Sequence, residues 1–382
     1  MVTIRFMKRI SRRARLIFIG TATALAALCA SSSTPAFGAD SPARAPVTSY
    51  SVVGYLASVA AVSPTDAWAV GYTGTSALKT LIVHWNGQKW SPVTSPKPIA
   101  GWFDGMTEVS PGNIWAVGAS GPTNGVNAPL IMHWNGTSWS RLPGVPAVDG
   151  GLTAIAQSGN ILLTVGGLDK PPMLIMQRIG TKWKTDPAPS SPGTMESIAM
   201  TGPDSAWAAG NTTPAGETQP YTGDVMLRWN GTAWKSVSFP LNGTDENLWS
   251  LAAGPGGAVW AVGDSHNKAS TSYAPISMLW NGRTWRKVTV TAPANSSLFG
   301  VSFVRGGTAW AVGQSAAGAR TLALHWTGTA WSKVATPNPL PTSDYLNAVS
   351  ASSPDSAWAV GGGGTSKSPK TFILHWNGST WS

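Results

Sequence analysis

Tryptophan recurs along this chain in three fixed registers. "AWAVG" and its variants set Trp68, Trp115, Trp207, Trp260, Trp310 and Trp358 in the first, with Leu163 of "LLTVGG" in the remaining place. The second holds Trp85, Trp134, Trp229, Trp280, Trp326 and Trp376, and the third Trp90, Trp139, Trp183, Trp234, Trp285, Trp331 and Trp381. Only Trp102 and Trp249, of 21 tryptophans, fall outside these registers. An aromatic this large, repeated every 44 to 53 residues, marks a supersecondary unit that cannot bury its own faces and stacks against copies of itself.

Each unit reads as four short strands, here lettered a to d in chain order. In the first they are "LASVAAV", "AWAVG", "LIVHW" and a strand opening at "KWSPV". Pro/Asp turns such as "SPTD" and "SSPDS" separate a from b, which makes Asp66, Asp204 and Asp355 turn-formers. Asn86-Gly87 predicts a two-residue type I′ hairpin between c and d, pairing Val83 with Trp90 and placing Val83, Trp85 and Trp90 on one face. Small residues on strand a (Ser58, Gly105, Ala154, Ser197, Ser250, Gly300, Ala348) let seven sheets converge near an axis.

Seven such units predict an all-β fold: a seven-bladed β-propeller of four-stranded antiparallel blades. Its blades start near residues 56, 103, 152, 195, 248, 298 and 346. The chain stops at Trp381-Ser382, short of a last strand d, and "APVTS" at 45–49 mirrors "SPVTS" at 91–95. The N-terminal segment is therefore expected to close the last blade. The Gly runs "VGG" at 165–167 and "VGGGG" at 360–364, with the spacing from His84 to Trp90, resemble the kelch repeat. They are similar to repeats of secreted actinobacterial proteins, although His-Trp replaces the usual Tyr.

Residues 1–39 read as a leader and 40–382 as the propeller. Arg5, Lys8, Arg9, Arg12, Arg13 and Arg15 precede an apolar stretch from Leu16 to Ala30, the layout of a signal peptide, with cleavage expected after Gly38 or Ala39. "SRRARLI" is similar to a twin-arginine signal, so a secreted or cell-surface protein is expected, exported by the Sec or the twin-arginine route. That stretch is short for a bilayer, so no transmembrane span is expected in the mature chain. The one cysteine, Cys29, lies inside the leader. No basic stripe with interleaved aromatics marks a nucleic-acid binder, and "GGGG" precedes no helix, so no nucleotide site is expected.

Positions repeated in every blade serve packing. The histidines His84, His133, His325 and His375 are read this way, since Gln177, Arg228 and Leu279 take their place elsewhere, and no metal or cofactor is expected. Function is sought where the repeat breaks. One position at the start of strand a varies: Ala57, Asp104, Thr153, Glu196, Trp249, Phe299 and Asn347. The longest b-to-c loops, 211–224 and 264–275, bring Tyr221, Asp224, His266 and Tyr273 to the same rim. Aromatics beside carboxylates and amides suit a carbohydrate; the other reading, given more weight, is that Trp249 and Phe299 simply pack under the rim.

The favoured expectation is a monomeric, non-catalytic propeller that binds an extracellular glycan or protein. The alternative is a glycoside hydrolase or polysaccharide lyase with Asp104 and Glu196 as acid and base. A galactose-oxidase-like copper site is excluded by the lack of a cysteine after the leader. Resemblance to the sialidase Asp-box stops at Gly136 to Trp139, because Trp134 stands where that motif has its Asp.

Overall fold

The computed structural model describes residues 50–382, apart from 95, 124–125, 169–172, 189–192, 213–222, 242–245, 268–271, 305, 316–319, 341–342 and 366–367. It is a seven-bladed β-propeller. Six sheets have four antiparallel strands in sequential order and the last has three. The inner strands are Gly54–Ser63, Gly101–Ser110, Gly150–Ser158, Gly193–Gly202, Glu246–Ala253, Ser297–Phe303 and Asp344–Ser353. Each touches the next around the ring, and the seventh touches the first.

Strand b is apolar on both faces because neighbouring blades cover both. Ala67, Trp68, Ala69 and Val70 are all buried, as are the corresponding positions of the other blades, among which Thr164 of blade three is the one polar residue. The first tryptophan of a blade packs against the second and third of the next. Trp68 lies 4.8 Å from Trp134 and 5.5 Å from Trp139. Trp207 meets Trp280 and Trp285, Trp260 meets Trp326 and Trp331, and Trp310 meets Trp376 and Trp381.

The seam from blade seven back to blade one is built alike, with Trp358 at 4.9 Å from Trp85 and 5.1 Å from Trp90. Blade three departs from the rule. Arg178 replaces its second indole and sits over Trp115 at 5.8 Å, a cation–π contact. Leu163 fills the place of its first indole against Trp229 and Trp234. The repeated histidines stack on tryptophan within their blades, as His84 does on Trp68 at 4.0 Å and His133 on Trp115 at 3.9 Å.

The c-to-d hairpin differs from its expected register. Trp85 pairs directly with Trp90 and Val83 with Pro92, so the loop is the four residues Asn86 to Lys89. The asparagine side chain decides this: Asn86 Oδ1 accepts the N–H groups of Gln88 and Lys89 at 3.1 and 3.0 Å. Such an Asx turn needs positive φ only at Gly87 (89°), whereas a type I′ turn needs it at Asn86 too. Asn135, Asn230, Asn281 and Asn377 cap their hairpins the same way. Val83, Trp85 and Trp90 still share a face, since directly opposed residues point to the same side.

Strand c of blade seven is met at both ends. Ser382 exchanges two backbone hydrogen bonds with His375 at 2.9 and 3.0 Å, beginning an outer strand. At the other end of the same strand c, Thr371 donates its N–H to the Val52 carbonyl, and the Val52 N–H donates to Thr371 Oγ1, both at 3.1 Å. Thr80 and Ile99 make the same pair of bonds at the junction of blades one and two. Residues 50–53 therefore occupy the place of an ordinary d-to-a connection, while 45–49 lie outside the described residues.

Candidate functional site

Every inner strand carries, near its start, a residue that its partner strand does not pair. Leu56 faces Gly71 and Ser58 faces Val70, which leaves Ala57 bulged between them. The same break in the other blades bulges Asp104, Thr153, Glu196, Trp249, Phe299 and Asn347. A bulge bends its strand and re-aims a side chain. The glycine ending strand b makes room for it: a Cβ on Gly118 would overlap the carbonyl oxygen of Trp102.

Six of these seven bulged residues border one cavity of about 420 Å³, walled by all seven inner strands. They are Ala57, Asp104, Thr153, Glu196, Phe299 and Asn347, and Glu108 and Gln157 lie further along the same walls. Trp249 does not border it. Among the described lining residues there are three carboxylates and no lysine, arginine or histidine.

Hydrogen bonds between blades fix the mouth. Asn347 Nδ2 donates to the Leu56 carbonyl at 2.7 Å across the seam between blades seven and one. Thr153 Oγ1 donates to the Met195 carbonyl at 2.5 Å between blades three and four. The small serines serve likewise, Ser197 Oγ accepting the Leu251 N–H at 2.9 Å. Gly105 is small for the same reason, since a Cβ there would strike the Thr153 carbonyl. Trp102 Nε1 holds Asp104 Oδ2 at 2.7 Å. Asn347 is fully buried, and its Oδ1 has no partner. Burial, then the nearby Asp66 charge, raises the Glu108 carboxyl above its ordinary range.

Trp249 and Phe299 pack beneath the rim and offer no aromatic platform to solvent. Trp249 and Phe299 are both fully buried and meet edge to face at 6.4 Å. Trp249 Nε1 donates to Asp264 Oδ2 at 2.6 Å, and Asn247 Nδ2 donates to Asp264 Oδ1 at 3.2 Å. Asp224 pairs in register with Asn211, and one of its oxygens is buried without a partner. Burial first, then Glu246 and Asp264, pushes its carboxyl up to about 8.

Residues 264–267 and 272–275, read as loop from the sequence, are paired strand. His266 sits opposite Tyr273 with rings stacked 4.8 Å apart. Tyr221 lies outside the described residues. The structure thus gathers Asp104, Glu196, Phe299 and Asn347 at the axis. It sets Asp224, Trp249, His266 and Tyr273 on blades four and five.

Sequence reasoning missed Glu108, Trp102 and the tyrosines Tyr55, Tyr72 and Tyr345, which cluster beside Ala57. One signal was available. The two tryptophans outside the packing registers, Trp102 and Trp249, are both donors to carboxylates at this rim.

The fold and the converging bulges define a β-propeller whose varied positions share one axial cavity. No protein-family model matches the chain, and no curated protein matches it. Solved propellers do. A structure of YCF48 bound to D1 peptide is 16% identical, covers 87% of this chain and 98% of its own, and gives a TM-score of 0.51. YCF48 from Cyanidioschyzon merolae is 13% identical over 86% of this chain and 97% of its own, with a TM-score of 0.52. The propeller domain of the Trilobed protease from Pyrococcus furiosus, which has an open velcro topology, is 11% identical over 86% and 97%, with a TM-score of 0.53. At these identities the likeness shows the fold alone.

Proposed function

We propose that this protein is a secreted or cell-surface propeller that binds, without turnover, a segment of an extracellular glycan or protein at the mouth of its axial cavity. One observation carries the reading: the bulge is a position that varies between blades, and six of its seven copies border one cavity. Packing demands sameness from blade to blade, so differences concentrated around a concave site favour recognition. The cavity volume also falls within the range of about 300–1,000 Å³ usual for ligand sites. The YCF48 complex shows that a propeller of this fold can hold a peptide.

The test is retention of ligands from glycan and protein panels by the purified protein and by Ala57→Phe. That variant gives blade one the residue blade six already carries at its bulge. Retention should be lost in the variant with its melting temperature preserved; retention unchanged in a folded variant would place the site elsewhere.

A hydrolase or lyase is the second reading, supported by Asp104 and Glu196 sharing the cavity from blades two and four. Depolymerisation of a polysaccharide that disappears in Glu196→Gln would establish it over binding alone.

A further inference from the structure

The repeat also breaks on the outside of the ring. The residue after each outer-strand tryptophan is serine in four blades, as Ser91, Ser140, Ser332 and Ser382, and a cation in three, as Lys184, Lys235 and Arg286. Those three belong to the neighbouring blades three, four and five, and all are exposed. Across the c-to-d ladder the exchange is matched. The serines sit opposite His84, His133, His325 and His375, and the cations opposite Gln177, Arg228 and Leu279. We infer that this row is an interaction surface, separate from the axial cavity, for a linear anionic polysaccharide lying along the outer edge of blades three to five.

Side chains alternate along a strand, so these positions turn away from the face on which the outer tryptophans pack. They overhang the groove to the following blade. Lys184 Nζ lies 5.9 Å over Trp229 of blade four, and the Arg228 guanidinium lies 5.4 Å over Trp280 of blade five. Packing accounts for the stems of such side chains, which cover indoles that histidine covers in the other blades. It does not account for the charge: Leu279 takes the histidine place in blade five, and that blade still carries exposed Arg283 and Arg286. A lysine on an edge strand also wards off pairing with other chains, but all seven blades have that edge and four meet it with serine. Of Lys184, Arg228, Lys235, Arg283 and Arg286, only Lys184 reaches a carboxylate among the described residues, Asp186 at 2.9 Å.

The arrangement selects the partner. One cation per blade suits a chain of repeated charge, whose successive carboxylates or sulfates meet successive grooves, whereas a single small anion would meet one. The outer edge is the convex circumference of the ring, which a flexible glycan can follow and a DNA duplex, stiff over about 50 nm, cannot. Single-stranded nucleic acid relies on exposed rings for stacking. The exposed large apolar side chains among the described residues are Val53, Val109 and Ile179, none of them aromatic.

The probes are polygalacturonate and dextran sulfate, titrated against the purified protein beside neutral dextran, duplex DNA and anionic phospholipid vesicles. The anionic polysaccharides should bind and neutral dextran should not, with affinity falling severalfold as salt is raised. Lys235→Ser combined with Arg286→Ser gives blades four and five the residue that four other blades carry. It should weaken binding about tenfold with the melting temperature preserved. Arg141→Ser combined with Lys333→Ser removes two cations one place further along their outer strands, on the opposite face. That pair should change affinity less than about twofold.

Equal loss in the two double variants would reduce the effect to net charge and overturn the inference. So would unchanged affinity in the Lys235→Ser, Arg286→Ser variant, tighter binding of duplex DNA or vesicles than of either polysaccharide, or no binding of the anionic probes. Ala57→Phe separates this surface from the axial site. Polysaccharide binding kept in that variant supports the outer row, and binding lost with the fold intact transfers the polymer to the axial mouth and overturns it.

Discussion

Asp104, on the inner strand of blade two, and Asp224, on strand c of blade four, are both carboxylates, yet their surroundings prepare them differently. Asp104 receives an indole N–H from Trp102 and borders the cavity, which keeps a charged acceptor in place. Removing that donor in Trp102→Phe should weaken binding of the retained ligand severalfold, by titration, more than it lowers the melt. Asp224 has one oxygen buried without a partner and a carboxyl pushed up to about 8. An unfolded aspartate releases its proton near 3.9, so between about pH 4 and pH 8 the folded chain holds a proton that the unfolded chain has lost. Stability from this group is therefore present at low pH and lost as pH rises towards 8. Asp224→Asn should flatten that slope and melt a few degrees above the parent at pH 9, while the two converge near pH 4. A parallel pair of melting curves would show that the group does not titrate as placed.

Strands and their bulges are the scale at which the sequence was most and least legible. The repeat register placed every b strand, and the varied position before each small residue proved to be the bulge itself. The pairing of strands c and d was not legible. An Asn-Gly pair suits both a two-residue turn and a four-residue Asx turn, and only the hydrogen bonds of the Asn86 side chain separate them. The burial of Trp249 under the rim was one of the two readings open, but the partner of its indole N–H was not legible. Its partner, Asp264, lies across the sheet on strand b, and no spacing rule links them. The bulge makes its own prediction: Gly118→Ala forces a Cβ onto the Trp102 carbonyl, so the strand next to Asp104 must shift. Its cost should be about 1–3 kcal/mol in a denaturant melt, accompanied by weaker ligand binding. An unperturbed melt would mean that the strand yields freely.

Across the whole molecule, the seven seams carry the ring. Trp358→Ala would leave a void against Trp85 and Trp90 at the seam that joins last blade to first. It should cost about 3–5 kcal/mol, read from the urea midpoint. Deleting the chain through Val53 removes the partners of Thr371 and the Tyr50 and Val52 packing beside Ile373, and should lower the melting temperature sharply. An unaltered melt would make that segment dispensable. Because Val52 meets Thr371 by the same two bonds that join Ile99 to Thr80, the junction between the chain's extremities is locally the same as a continuous one. No blade is structurally first. A cyclic permutant opened just before Ile99, with a linker bridging the old ends, would meet the same local bonding and keep the axial opening unchanged.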